Sequence, residues 1–255
     1  MIRRLLAISA LILAIALPAR AEEVVAGLSQ NRVAITASFD GSEILVFGAV
    51  KREAPAPLDP SLEVIVAVSG PSTPITLRKK SRRLGIWINT QALEIDAAPS
   101  FYSVSTSAPL RDILNHTDDI RHGISIGRVI RSVGAPEEIK NAARFTEALV
   151  RIRTENRLYQ LNEGSVDLAE DTLFRTSVAL PSNLTEGAFT ARIFLTRGGH
   201  VIDAYTTDLE VRKVGLERWL FTLAYEQAFL YGLLSLVIAI IAGWGASAIF
   251  RLLRV

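Results

Sequence analysis

Five cations crowd into six positions at Arg78-Lys79-Lys80-Ser81-Arg82-Arg83. Clustered ammonium and guanidinium groups raise the local positive potential, so such a run can hold lipid headgroups, an acidic partner or an anionic ligand. Trp87 adds an amphipathic ring a few residues on. Arg78, Lys79, Lys80, Arg82, Arg83 and Trp87 are therefore the candidate partner- or anion-binding residues. The plainer alternative is a solvated turn between two strands, or a charged edge that discourages aggregation.

Other reactive side chains assemble less well. His116-x-Asp118-Asp119-x-x-His122 contains ligand-type residues, but its spacing matches no standard zinc or calcium site. Solvated loop residues are the expectation there, and His200 beside Gly198-Gly199 reads as a turn residue. The pair Glu137/Glu138 follows a Pro and suits a helix N-terminus. The chain has no cysteine, which excludes thiol catalysis, disulfides, Fe–S clusters, thiolate zinc and lipoprotein attachment. Neither a P-loop nor a strand–GxGxxG–helix signature is present, and no Ser-His-Asp triad is identifiable. A glycosidase-like carboxylate pair stays open, because its members need not be close in sequence. No catalytic residue, metal or cofactor is assigned.

The segments that would position these residues begin and end in apolar runs. Arg3 and Arg4 precede the 13-residue stretch Leu5 to Leu17, and Ala19-Arg20-Ala21 completes a secretory signal over residues 1–21. At the other end, Ala228 to Phe250 holds 23 residues without a charge, enough for roughly 34 Å of helix and hence for a bilayer. Trp219, Tyr225 and Tyr231 suit the interface. Ala239, Gly243 and Ser247 place small residues on one helix face, the pattern that permits close approach of a second helix. An exported body, 228–250 as a single span and 251–255 as a cytoplasmic tail follow. The formal charge of +2 becomes −1 without Arg3, Arg4 and Arg20, and −3 without Arg251 and Arg254. Nucleic acid is not an expected partner.

Between these ends the periodicity changes twice. Residues 22–108 alternate with period two, as at Val33, Ile35, Ala37 and Phe39, and turn signals recur every 8–12 residues. A small immunoglobulin-like β-sandwich is expected there. Residues 109–160 read as helical, with Ile139, Ala142, Phe145, Leu149 and Ile152 at helical spacing. Strands return over 161–215 as a second β unit, followed by a juxtamembrane segment at 216–227. The fold class is thus mainly β with α, ending in one transmembrane helix.

Several stretches carry a resemblance: the basic run with Gly85-Ile86-Trp87-Ile88-Asn89, Pro99-Ser100-Phe101-Tyr102, Leu180-Pro181 with Glu186-Gly187, Lys213-Val214-Gly215-Leu216-Glu217, Tyr231-Gly232 and Gly243-Trp244. Over nearly all of the mature length the chain resembles an uncharacterised family of alphaproteobacterial transmembrane proteins. That resemblance implies a bacterial inner-membrane protein with a periplasmic β-rich body and one C-terminal span. It also implies genes encoded near sulfite-exporter-like permeases, and so an accessory role to a membrane transporter. It brings no catalytic or binding residues with it. The expected function is a non-enzymatic interaction module that meets the lipid membrane and an inner-membrane protein. The alternative is a periplasmic ligand-binding receptor or hydrolase with its pocket between β unit and helix, where several of Arg78, Trp87, His116, Asp118 and His122 would converge.

Overall fold

The computed structural model describes residues 22–36, 39–52, 60–131, 142–214, 220 and 223–253. The secretory signal, its cleavage site, the helix start at Ala135-Pro136, Trp219 and the last two residues of the tail lie outside the described residues. Seven strands come first: β1 (Glu22–Leu28), β2 (Arg32–Ile35), β3 (Gly41–Arg52), β4 (Leu62–Ser69), β5 (Ser72–Arg83), β6 (Ile86–Pro99) and β7 (Tyr102–Thr106). Helices α1 (Leu110–Ile113), α2 (His116–His122), α3 (Ile126–Val129) and α4 (Ala142–Glu155) follow. Then come β8 (Tyr159–Asn162), β9 (Asp167–Ala169), β10 (Leu173–Pro181), β11 (Gly187–Arg197), β12 (His200–Lys213) and the terminal helix α5 (Ala228–Leu253). The chain is mainly β with a smaller helical share, as its periodicities predict.

Strand alternation is plainest in β10, where Phe174, Thr176, Val178 and Leu180 are buried between exposed neighbours. That pattern belongs to a sheet with one dry face. One sheet has the order β1-β3-β10-β9, a second runs β2-β12-β11-β4-β7-β8, and β5-β6 form a hairpin of their own. The N-terminal and C-terminal β segments interleave: β3 pairs with β10 (Val46 opposite Thr176), and β4 pairs with β11 (Val66 opposite Ile193). Strands 22–108 and 161–215 are therefore partners within both larger sheets, where sequence periodicity predicts two successive units. Periodicity reports which residues face a core but not which distant strand shares it.

The two sheets enclose a common core that includes Val46, Phe174 and Val178 from the first and Val66, Ile193 and Leu195 from the second. The second sheet is covered on its other face as well. Five consecutive residues of β4, Val64 to Val68, are buried, and all five of β7. There the helical stretch forms a third layer. Tyr102 donates to the Ile124 carbonyl at 2.6 Å, and Arg192 donates to the His122 carbonyl at 2.7 Å. The His122 ring packs edge-on against Phe194 at 5.6 Å. Burial pushes the Tyr102 phenol up to about 12 despite the nearby Arg192 guanidinium, so its proton stays in this lock.

At the edge of the sandwich Glu22 sits between two arginines. Its side chain is 6% exposed, and it accepts from Arg52 at 2.7 Å and from Arg197 at 2.8 Å. This ties β1 to β3 and to the end of β11. Burial disfavours the Glu22 carboxylate, but the hydrogen bonds and charge of Arg197 and Arg52 outweigh it and hold the carboxyl below its usual range. A carboxyl whose folded value lies below its unfolded one stabilises above the unfolded value and loses that contribution as pH falls through the folded one. The thermal midpoint should therefore fall on acidification below the ordinary glutamate range of about 4.3. In Glu22→Gln the midpoint should be lower at neutral pH and its acid limb flatter, as read by scanning calorimetry across a pH series.

Candidate functional site

The basic run lies on a strand. Arg78 to Arg83 form the distal half of β5, and the reversal comes after them at Leu84-Gly85. This corrects the reading of the run as a turn between two strands: the cations flank the turn and do not form it. Both central residues have positive φ, 48° at Leu84 and 87° at Gly85, the signature of a type I′ hairpin turn. Opposite the cations, β6 supplies Ile86, Trp87 and Ile88. Arg83 pairs with Ile86, Arg82 with Trp87 and Ser81 with Ile88. Cross-strand partners share a face, so each face of the hairpin carries cation and apolar side chain together.

The hairpin is fixed at its root and bare at its tip. Leu93, Ile95 and Ala98 are buried, whereas Leu84 is fully exposed and Trp87 is 68% exposed. The root is held on several sides. Gly70 donates to the Phe101 carbonyl at 2.8 Å and Ser100 to the Pro71 carbonyl at 2.9 Å. Tyr159 donates to the Pro99 carbonyl at 2.9 Å, and Ala97 forms a β-bridge with Arg131. From Arg78 outward the strand runs six residues, about 20 Å at the rise of a β-strand. Among the described residues none of the five cations is in an ion pair. No acid lies between Arg78 and Leu93.

The arm leaves the sandwich at the same end as the chain that leads to α5. Ser69, the last residue of β4, pairs with Thr190 near the start of β11. Thr190 pairs with Asp208, and Gly187 with Val211, close to the end of β12 at Lys213. A Cβ on Gly187 would come within 2.8 Å of Pro71 in the arm's root. Root, β11 start and β12 exit thus form one edge.

The remaining candidates are scattered. Asp118 is buried beneath the β11–β12 turn, where it accepts from Asn115 Nδ2 at 2.9 Å, Arg121 at 3.1 Å and the Val201 amide at 3.2 Å. His200 Nδ1 lies 3.3 Å away. Burial opposes its ionisation, but these hydrogen bonds win and hold the carboxyl below its usual range. This corrects the reading of Asp118 as a solvated loop residue. Asp119 accepts from the Ser125 amide and hydroxyl, both at 2.8 Å. Both acids thus serve as hydrogen-bond hubs of the helical layer. His116 lines an open recess with Leu110, Arg111, Asp119, Leu161 and Glu163, away from the arm residues Arg78 and Trp87. Arg78, Trp87, His116, Asp118 and His122 do not converge on one pocket. No group of three or more potential metal ligands occurs among the described residues.

A second exposed feature escaped the sequence reading. The outer face of the first sheet presents Val25, Phe47 and Leu173 around a shallow apolar recess of about 770 Å³. Strand alternation marks these positions as outward, where polar residues are the norm. An apolar residue at an outward position is the signal that could have found them. Along α5, Ala239, Gly243 and Ser247 are exposed on one face, and a Cβ on Gly243 would meet nothing within 4 Å.

From Ala228 to Ile249 that helix has a mean hydropathy of 2.1 and none of its most apolar window is buried against the body. Among the described residues, a β-rich body joined to one unburied apolar helix long enough to cross a bilayer fits a single-pass membrane protein. Residues 23–252 match the family model described as "Putative transmembrane protein (Alph_Pro_TM)", and the chain belongs to that family. No curated protein matches it. Among solved structures it is similar to Spo0M, a sporulation control protein from Bacillus subtilis, at 10% identity and a TM-score of 0.29. That match covers 82% of this chain, which spans about half (56%) of the Spo0M chain.

The division of the arm into root and tip makes a stability prediction. Leu84→Ser removes no packing and Trp87→Ser only the contacts of a largely exposed ring, so each should shift the unfolding free energy by less than about 0.5 kcal/mol. Leu93→Ala and Ile95→Ala empty buried sites and should each cost about 2–5 kcal/mol. Urea titrations of the detergent-solubilised full chain will separate the two classes.

Proposed function

We propose that the protein is a non-enzymatic interaction module tethered to the bacterial inner membrane, with its β-rich body periplasmic and its C-terminus cytoplasmic. It acts as an accessory to an inner-membrane protein, with a transporter as the foremost class of partner. The observation that carries this reading is the arm, a rigidly rooted projection whose cations are exposed and form no ion pair among the described residues, and whose tip leaves Leu84, Ile86, Trp87 and Ile88 exposed. A projection of that kind, aimed from the end that also leads to the membrane helix, suits contact. Catalysis would call for convergent polar groups in a cleft. The hydrogen bonds of Asp118 and Asp119 support the same reading, since those acids are engaged in holding the fold. In α5, Ala239, Gly243 and Ser247 give the membrane partner a face for close helix approach.

Crosslinking and co-purification from native membranes test the assignment. Charge reversal at Arg78, Lys79, Arg82 and Arg83 together should deplete the partners recovered with the wild-type chain while leaving its membrane insertion intact. An unchanged partner list would remove the arm from the contact.

A further inference from the structure

We infer that the tip of the β5–β6 arm is a membrane-docking wedge: it lowers Leu84, Ile86, Trp87 and Ile88 into the interface of the bilayer that α5 crosses, while Arg78, Lys79, Lys80, Arg82 and Arg83 grip anionic phospholipid headgroups. This rests on the membrane-tethered reading above and names what the arm touches.

Three independent features point to lipid. The first is composition by position. The apolar side chains sit at and just behind the turn, and the cations begin beside them and continue toward the root. That order matches the bilayer interface, where apolar groups go deepest and ammonium and guanidinium groups stop at the phosphates. Trp87 has the ring type that favours the headgroup level. Because both faces of the hairpin carry the mixture, it suits immersion from all sides better than docking by one face on a protein groove.

The second is the backbone at the tip. A type I′ turn favours Asn, Asp or Gly at its first central position, since each tolerates positive φ. Here that position holds Leu84, fully exposed at φ 48°. A leucine there costs conformational energy and gains no packing within the described chain. An outlier of that kind calls for a role in which an apolar group at the extreme tip is needed.

The third is placement. The arm's root and the strand leading to α5 share one edge of the sandwich. Residues 215–227 connect Val214 to Ala228, and thirteen residues reach at most about 45 Å when extended. The root is thereby tethered near the membrane surface, and a tip about 20 Å beyond it can reach the headgroups. Each cation near an anionic surface contributes roughly a fivefold factor to binding.

The absence of cysteine allows a single nitroxide probe in the full chain. With the probe at Ile86→Cys in nanodiscs, power-saturation EPR reads its exposure to oxygen against a water-soluble nickel complex. In discs containing phosphatidylglycerol the probe should report immersion, and in phosphatidylcholine discs it should be shallower. A control probe at Ser61→Cys, at the opposite end of β4, should remain aqueous in both. Reversing Arg78, Lys79, Arg82 and Arg83 should return the Ile86 probe to water. Leu84→Asn, the residue type the turn favours, should make it shallower while leaving the unfolding midpoint at or above that of the parent. A probe that stays aqueous in both lipids overturns the inference, as does immersion indifferent to phosphatidylglycerol and to charge reversal. An aqueous probe together with loss of native partners on charge reversal places the tip on a protein; the wedge then fails and the interaction module stands. An immersed, charge-sensitive probe with an unchanged partner list has the opposite meaning.

Discussion

The structure depends on the burial of β4 from both sides. A strand with five consecutive buried residues must be covered above and below, and no single neighbouring segment can do both. β10 and its sheet close one face. The helical layer closes the other, pinned by Tyr102, Arg192 and the edge-on contact of His122 with Phe194. Since β4 pairs with β7 on one side and β11 on the other, its position fixes theirs. The arm is inserted between β4 and β7, so its root inherits the rigidity of the best-packed part of the molecule.

Rigidity at the root is what makes a long hairpin useful. An isolated two-stranded ribbon is marginal in water, and one that projected from a loose loop would sample many directions. Here the first turns of the ribbon are bolted to neighbouring elements by Gly70, Ser100, Ala97 and Tyr159. The free length is short enough for ladder hydrogen bonds and a tight turn to hold it. The cost of displaying apolar residues is confined to the last few positions.

Much of this was legible from sequence where the signal is local. The strands of β10, β11 and β12, the turn at Gly198-Gly199 and the spanning helix all follow from periodicity and punctuation. Strand exchange between the N-terminal and C-terminal segments was not legible, because alternation at Val46 and at Thr176 says nothing about their being opposite one another. The basic run is plain in the sequence, but its conformation is not: a turn and a charged strand edge both fit, and the structure has it on a strand. Six polar residues in a row look like a loop, yet a strand solvated on both faces has no apolar alternation to reveal it. The turn signal was Leu84-Gly85, with Leu where Asn is usual, so it lacked the dipeptide that announces a hairpin. Local sequence and structure disagree at that spot, and disagreements of this kind concentrate where function overrides folding.

Charge distribution connects the arm to the rest of the chain. The formal charge of residues 22–250 is −3, and −8 once the five cations of the arm are set aside. A body of that sign is repelled by an anionic surface. Placed on the sandwich itself, the cations would be compensated by neighbouring carboxylates. Screening decides the matter: the Debye length at physiological salt is about 8 Å, and the cationic part of the arm extends about 20 Å. At the tip the body's negative field has largely decayed, so the arm presents its full positive charge. At an anionic surface the same separation would orient the molecule, because only the end of the sandwich that carries the arm would be attracted while the remainder is held off. The end so selected is the one from which the chain proceeds to its membrane helix, so electrostatics and connectivity favour the same orientation of the body.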